Sequence, residues 1–247
     1  MRTKTVPSFI TPLFFSLTAG CSRALATGSG DGLKPVLPYR SRPDAGRFLA
    51  ETLAEYGART DVVVLGLAPG GVPLAAEIAA GLRAPLDAVV VGRLYFPSRP
   101  ELTMGAIAPG GVRVLDGELI QALGLSAEKL DEITLREQAE LEQRERLYRG
   151  GRAEIDLNHR TLILVDDGMA TGLSMLAAVR YVRQQAPTQI VMAVPVASAG
   201  ARERVRNEVD ACVCPAIPEP FYSVGDWYQS FPQITDGEVA RLLEGNR

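Results

Sequence analysis

The chain has 247 residues, of which 47% are hydrophobic and 22% charged, as in an ordinary globular protein of one large α/β domain or two small ones. A formal net charge of −3 argues against broad nucleic-acid binding, which needs a basic face, but it permits a small anionic ligand held by backbone amides and a few local arginines. The cysteines Cys21, Cys212 and Cys214 form neither a disulfide framework nor a zinc spacing, and the single histidine, His159, lies in the polar turn "DLNHRT", so a Ser-His-Asp triad has no obvious histidine.

The first thirty residues stand apart. They hold Arg2, Lys4 and Arg23 but no acid, with an apolar stretch from Val6 to Gly20 and a small-residue "ALA" at 24–26. Pro7 and Pro12 interrupt the stretch, which is too short for a membrane span. The leucine of "LTAGC" lies one place too far from Cys21 for a lipoprotein site. An export signal, an organelle transit peptide and a disordered extension all remain open, so residues 1–35 are set apart from a domain over 36–247.

"RPDAGRFLAETLAEYG" then predicts a helix, with Phe48, Leu49, Leu53 and Tyr56 at helical spacing. "DVVVLGL" is a β-branched strand buried on both faces, "APGG" breaks it, and "VPLAAEIAAGL" resumes as a helix before the strand "LDAVVVGRL". That order is the βαβ unit of a parallel sheet. Residues 95–111 are rich in proline and glycine. A short strand at Met104–Ala108 is predicted to pair with "VRVLD" across Pro109-Gly110-Gly111 as a hairpin. The charged stretch "SAEKLDEITLREQAELEQRERLYRG" predicts a long connecting helix with a mostly solvated surface. The α/β rhythm returns with "TLILVD", "GLSMLAAVRYVRQQ", "QIVMAVPVA", "AGARERVRNEV" and "DACVCP", where Cys212 and Cys214 share one strand face as small buried groups. The sum is a doubly wound, mainly parallel α/β sheet, Rossmann-like, with a small hairpin or hood subdomain.

The chemistry concentrates in "LILVDDGMATGLS" (162–174). Asp166 and Asp167 emerge at the carboxyl end of a buried strand, where open α/β sheets bind ligands. Adjacent carboxylates repel, so they belong where water, a metal or ligand hydroxyls absorb their charge. Gly168, Met169, Ala170, Thr171, Gly172, Leu173 and Ser174 lead into a helix whose amides and dipole favour a phosphate. Paired acceptors beside an anion cradle describe a ribose 5-phosphate site, although acid–glycine turns also cap helices that bind nothing. The first loop fails as a P-loop, since Val72-Pro73 stands where Lys-Ser/Thr is required, and it does not fit G-x-G-x-x-G.

The thirteen-residue string resembles the phosphoribosyl-pyrophosphate (PRPP) motif of the type I phosphoribosyltransferases, with Gly168 where many members have an aliphatic residue. Residues 38–244 are similar to a bacterial branch of uncharacterised members, through "DAGRFLAETL", "GGVPLAAEIA", "PELTMGAIAPGG", "RERLYRGG" and "PFYSVGDWYQSF". The resemblance implies that Asp166 and Asp167 contact the ribose hydroxyls and, through PRPP, the substrate's Mg²⁺. It assigns Ala170–Ser174 to the 5-phosphate and the loop Ala68, Pro69, Gly70 and Gly71 to the pyrophosphate. The implied reaction joins an unidentified nucleobase or other small nucleophile to C1 of PRPP, with pyrophosphate released, in the cytoplasm. No nucleic acid or membrane takes part in the folded domain, and a homodimer is left open. An exported or organellar protein is the alternative if residues 1–26 are cleaved.

Two departures matter. Pro69 replaces the arginine of the branch's "PRGG", losing a charge-assisted hydrogen bond of about 1.5–3 kcal/mol, and only Arg93 remains of two adjacent basic residues. Arg99 and Arg113 are the candidate replacements. The family's loop often has a cis peptide at this place, which predicts a cis Ala68–Pro69 bond. The alternative function is a catalytically weakened PRPP- or nucleotide-binding regulatory protein. In the tail, Phe221, Tyr222, Trp227, Tyr228 and Phe231 suit either an aromatic wall for a base or packing on the sheet edge, and Glu101 is a candidate polar contact on a mobile loop.

Overall fold

The computed structural model describes residues 34–245; the leader expected over residues 1–35, with Cys21, falls almost wholly outside them. Helix α1 (Arg42–Thr52) is capped by Ser41, whose hydroxyl accepts from the Asp44 amide, and a short 3₁₀ turn at Ala54–Tyr56 follows. Strand β1 (Val62–Ala68), helix α2 (Val72–Leu82) and strand β2 (Leu86–Val90) build the expected βαβ unit.

The run "LDAVVVGRL" is not one strand. It breaks at Val91, and β3 (Gly92–Phe96) leaves the parallel sheet to pair antiparallel with β4 (Arg99–Ala108). The carboxylate-bearing side chain of Glu137 lies where a Cβ at residue 92 would stand, 2.7 Å from its Cγ, so the glycine admits the helix that crosses the break. β4 is longer than the predicted Met104–Ala108 piece, and β5 (Val112–Leu115) pairs with it from Ala108↔Val112 to Gly105↔Leu115, the expected hairpin register.

A short helix α3 (Gly117–Ala122) precedes the long α4 (Ala127–Arg149). Then follow β6 (Thr161–Val165), α5 (Leu173–Arg183), β7 (Gln189–Ala193), α6 (Ala199–Arg206), β8 (Ala211–Val213) and α7 (Asp236–Glu244). The main sheet has the order β2-β1-β6-β7-β8, all parallel, beside the three-stranded antiparallel sheet β3-β4-β5. Cys212 and Cys214 are half-buried against the second core rather than fully enclosed. His159 is exposed in a turn with φ of 55°.

Alternation along β1 separates two cores. Val62 and Val64 face a cluster with α1, α2, α4 and α7, whereas Val63, Leu65 and Leu67 face α5 and the hairpin. Both faces are therefore covered, as a parallel sheet requires. Chain order reverses between β1 and β6, with Gly66 level with Val165. The two loops leaving these strands consequently run side by side at the switch point, where ligands bind in this architecture. Among the described residues no helix is long and apolar enough to cross a membrane.

Candidate active site

The two loops are in contact, and two glycines make this possible. A Cβ at Gly71 would lie 2.2 Å from the Val165 carbonyl oxygen, and one at Gly70 would lie 2.5 Å from Asp167 Oδ2. The Ala68–Pro69 peptide is cis. Asp166 and Asp167, 4% and 6% exposed, are the buried acids of the chain's described part. Among the described residues their carboxylates are only half used. Asp166 Oδ1 accepts from the Asp167 amide at 2.9 Å, and Asp167 Oδ2 accepts from Arg42 Nε at 2.8 Å. One oxygen of each remains for another donor. Burial, then the neighbouring charge of Asp167, raises the Asp166 pKa far above the usual carboxylate range, with Arg93 and Arg42 opposing.

The turn after the acids is held from outside. The Met169 amide donates to Val196 O, the Ser198 amide to Met169 O, and the Ser198 hydroxyl to Ala170 O. Gly172 caps α5 with φ of +77°, and Ala201 O lies 2.9 Å from where its Cβ would be, so the position suits only glycine. The amides of Ala170, Thr171 and Gly172 donate to no other described group, leaving an open set of donors at the positive end of α5. Gly168 also has a local explanation: Val224 Cγ1 lies 2.7 Å from its hypothetical Cβ, so the tail fills the space an aliphatic residue would claim.

A cavity of about 1040 Å³ opens over this junction. Asp166, Asp167, Gly168 to Gly172, Ser174, Ala68, Pro69, Gly70 and Arg93 all line it. Gly71 and Leu173 lie behind the lining as the first turns of α2 and α5, and Arg93 Nε donates to Ser174 Oγ at 3.3 Å across the cleft. Glu101 is in the outer half of β4, not in a loop, and exposed away from the cavity lining. Neither candidate replacement for the lost charge reaches the cavity: Arg113 pairs with Asp131 at 2.7 Å, and Arg99 is exposed at the start of β4.

Other residues join the site unannounced by the sequence pattern. Arg42 arrives from α1. Helix α4, expected as a solvated connector, supplies Glu137, Glu140, Arg144 and Tyr148 to the cavity wall. Its narrow stripe Leu130, Ile133, Leu141 and Tyr148 is what docks it there. Part of the tail packs over the strand ends, whereas Phe231 also lines the cavity and Tyr222 stands exposed. Tyr228 is buried with its hydroxyl donating to Asp167 O at 2.6 Å, and Phe231 lies between Tyr228 (centroids 4.9 Å apart) and the Arg42 guanidinium (3.6 Å). Among the described residues no three histidine, cysteine or acidic side chains converge as a metal site.

This arrangement defines a class, the doubly wound α/β domains whose ligand crevice opens at the strand carboxyl ends. A family model described as "Phosphoribosyl transferase domain" matches residues 39–224. Two Mycobacterium tuberculosis proteins, from strains CDC 1551 and H37Rv and each named "Putative phosphoribosyl transferase", are 41% identical over 206 residues, 83% of this chain and 46% of theirs. The chain thus spans about half the length of the curated relatives it matches. The crystal structure of the protein TT1426 from Thermus thermophilus aligns with a TM-score of 0.69 at 38% identity, covering 84% of this chain and 98% of that one. The chain belongs to the phosphoribosyl transferase domain family.

Proposed function

We propose that the protein transfers the phosphoribosyl group of PRPP to a small nucleophile, a nucleobase or another acceptor, and releases pyrophosphate. The observation that carries this is the pairing, on one cavity wall, of two free carboxylate oxygens with the open amides of Ala170–Gly172. In this proposal the oxygens accept from the vicinal ribose hydroxyls, the bond to the Arg42-paired Asp167 carboxylate contributing about 1.5–3 kcal/mol. The amides and the Thr171 and Ser174 hydroxyls receive the 5-phosphate. The loop Ala68–Gly71 holds the pyrophosphate. An acceptor nitrogen forms its bond to C1 as the C1–oxygen bond breaks, the leaving pyrophosphate keeps the bonding pair, and the acid pair favours positive charge developing on the sugar.

Two carboxylates with one free oxygen each fit a Mg²⁺ ion carried in on the pyrophosphate better than one caged by the chain. Asp166 and Asp167 would meet it through that substrate, and the ion would neutralise leaving-group charge. A cytoplasmic setting belongs to the same proposal. Pro69 supports a second role, a weakened PRPP- or nucleotide-binding regulatory protein, because no basic side chain replaces the lost one in that loop.

Incubation with PRPP and Mg²⁺ across a mixed set of nucleobases and amines, with pyrophosphate measured, tests the choice. Acceptor-dependent release that disappears in the Asp166→Asn, Asp167→Asn double variant is expected. Tight PRPP binding with no release under any acceptor would favour the regulatory role.

A further inference from the structure

Arg42 is the buried cation of the site, 7% exposed, in the first turn of α1. That place is unfavourable by itself: the helix dipole repels a cation there, and a buried charge is tolerated only when it is paired. Its partners lie far off in the sequence. Nε donates to Asp167 Oδ2 at 2.8 Å, Nη1 donates to Pro232 O at 2.6 Å, and the guanidinium covers the Phe231 ring at 3.6 Å. Phe231 packs on Tyr228, whose hydroxyl returns to the backbone carbonyl of Asp167. Asp167 is thus gripped at its carboxylate and its carbonyl by one closed circuit, with Gly70 packed closest to the same oxygen, Oδ2, that Arg42 holds.

We propose that Arg42 is the positioning residue of Asp167, fixing its carboxylate so that Oδ1 faces the ligand, and that the tail segment Tyr228–Pro232 serves the sugar site through it. The proposal rests on the acid pair being the ribose-binding element. The competing role, a cation that replaces the one missing at Pro69, fits less well. Asp167 already neutralises Arg42, two of its nitrogens are committed, and little of it is open to the cavity. A purely structural ion pair is the other competitor, and ligand selectivity separates it from positioning.

The full chain and the variants Arg42→Met, Arg42→Lys and Arg42→Met with Asp167→Asn are titrated calorimetrically with ribose 5-phosphate and with inorganic phosphate. The phosphate probe needs the 170–172 amides and not the acid pair. Arg42→Met is expected to weaken ribose 5-phosphate on the order of ten- to a hundredfold and to leave phosphate binding as it was. Arg42→Lys should recover part of the loss, and it carries the test if the methionine variant does not fold. The double variant should regain thermal stability without regaining ribose 5-phosphate. Unchanged ribose 5-phosphate affinity in the single variants, or an equal loss of both ligands in a folded variant, would overturn the proposal. A wild-type chain that binds phosphate but not ribose 5-phosphate would instead strike the sugar-site assignment itself, and this proposal with it.

Discussion

Asp166 and Asp167 are neighbours with different surroundings. Asp167 is paired with Arg42, whereas Asp166 is buried beside a like charge, and its pKa is raised for those reasons. A carboxyl whose folded pKa lies above its unfolded value, about 3.9, stabilises the fold fully below that pH and loses the contribution as pH rises through the folded value. Asparagine does not titrate. Asp166→Asn should therefore match the wild-type Tm near pH 4 and exceed it increasingly toward pH 8, by roughly 2–4 °C for each kcal/mol of penalty removed. It should bind ribose 5-phosphate poorly throughout. Thermal melts over that pH range check it, and a variant less stable at every pH would contradict the burial argument. Gly70 and Gly71 differ in the same concrete way. Alanine at 71 would strike backbone that cannot yield and should cost about 1–3 kcal/mol in urea unfolding. Alanine at 70 would push the Asp167 side chain instead, and should lower ribose 5-phosphate affinity more than stability.

At the scale of elements, the tail and the acid turn are packed against each other. Gly168 leaves room that Val224 occupies, so Gly168→Ala should destabilise alone and be rescued by Val224→Ala. A double-mutant cycle in denaturant should return a coupling of about 0.5–3 kcal/mol, and simple additivity would show that the contact is incidental. Periodicity made most elements legible: α2 spans Val72–Leu82 as its apolar pattern implies, and the β4–β5 hairpin follows from its glycine turn. It missed the break at Val91, because an aliphatic run looks the same whether it stays in one sheet or passes into a second. It also made α4 a connector, since four buried residues in a 23-residue charged helix are a faint stripe.

For the whole molecule, the acid pair and its turn could be found from sequence because they are contiguous and end a recognisable strand. Arg42 could not, because 125 residues separate it from Asp167 and nothing around "SRPD" distinguishes it from a surface arginine at a helix start. Its unfavourable place in the helix was the available signal. The tail's aromatic residues were visible, but their partners were not, and the fold buries Tyr228 under Asp167 while Phe231 meets Arg42 at the cavity wall. Everything converges on the junction of β1 and β6, where carboxylates and unpaired amides share one cavity. Calorimetric titration of Mg²⁺–PRPP into the full chain and into Asp166→Asn with Asp167→Asn tests that junction most directly. Saturable one-to-one binding by the wild type, weakened on the order of a hundredfold or more in a folded double variant, is the predicted result. Equal affinity in the two proteins, or no binding by the wild type, would contradict it.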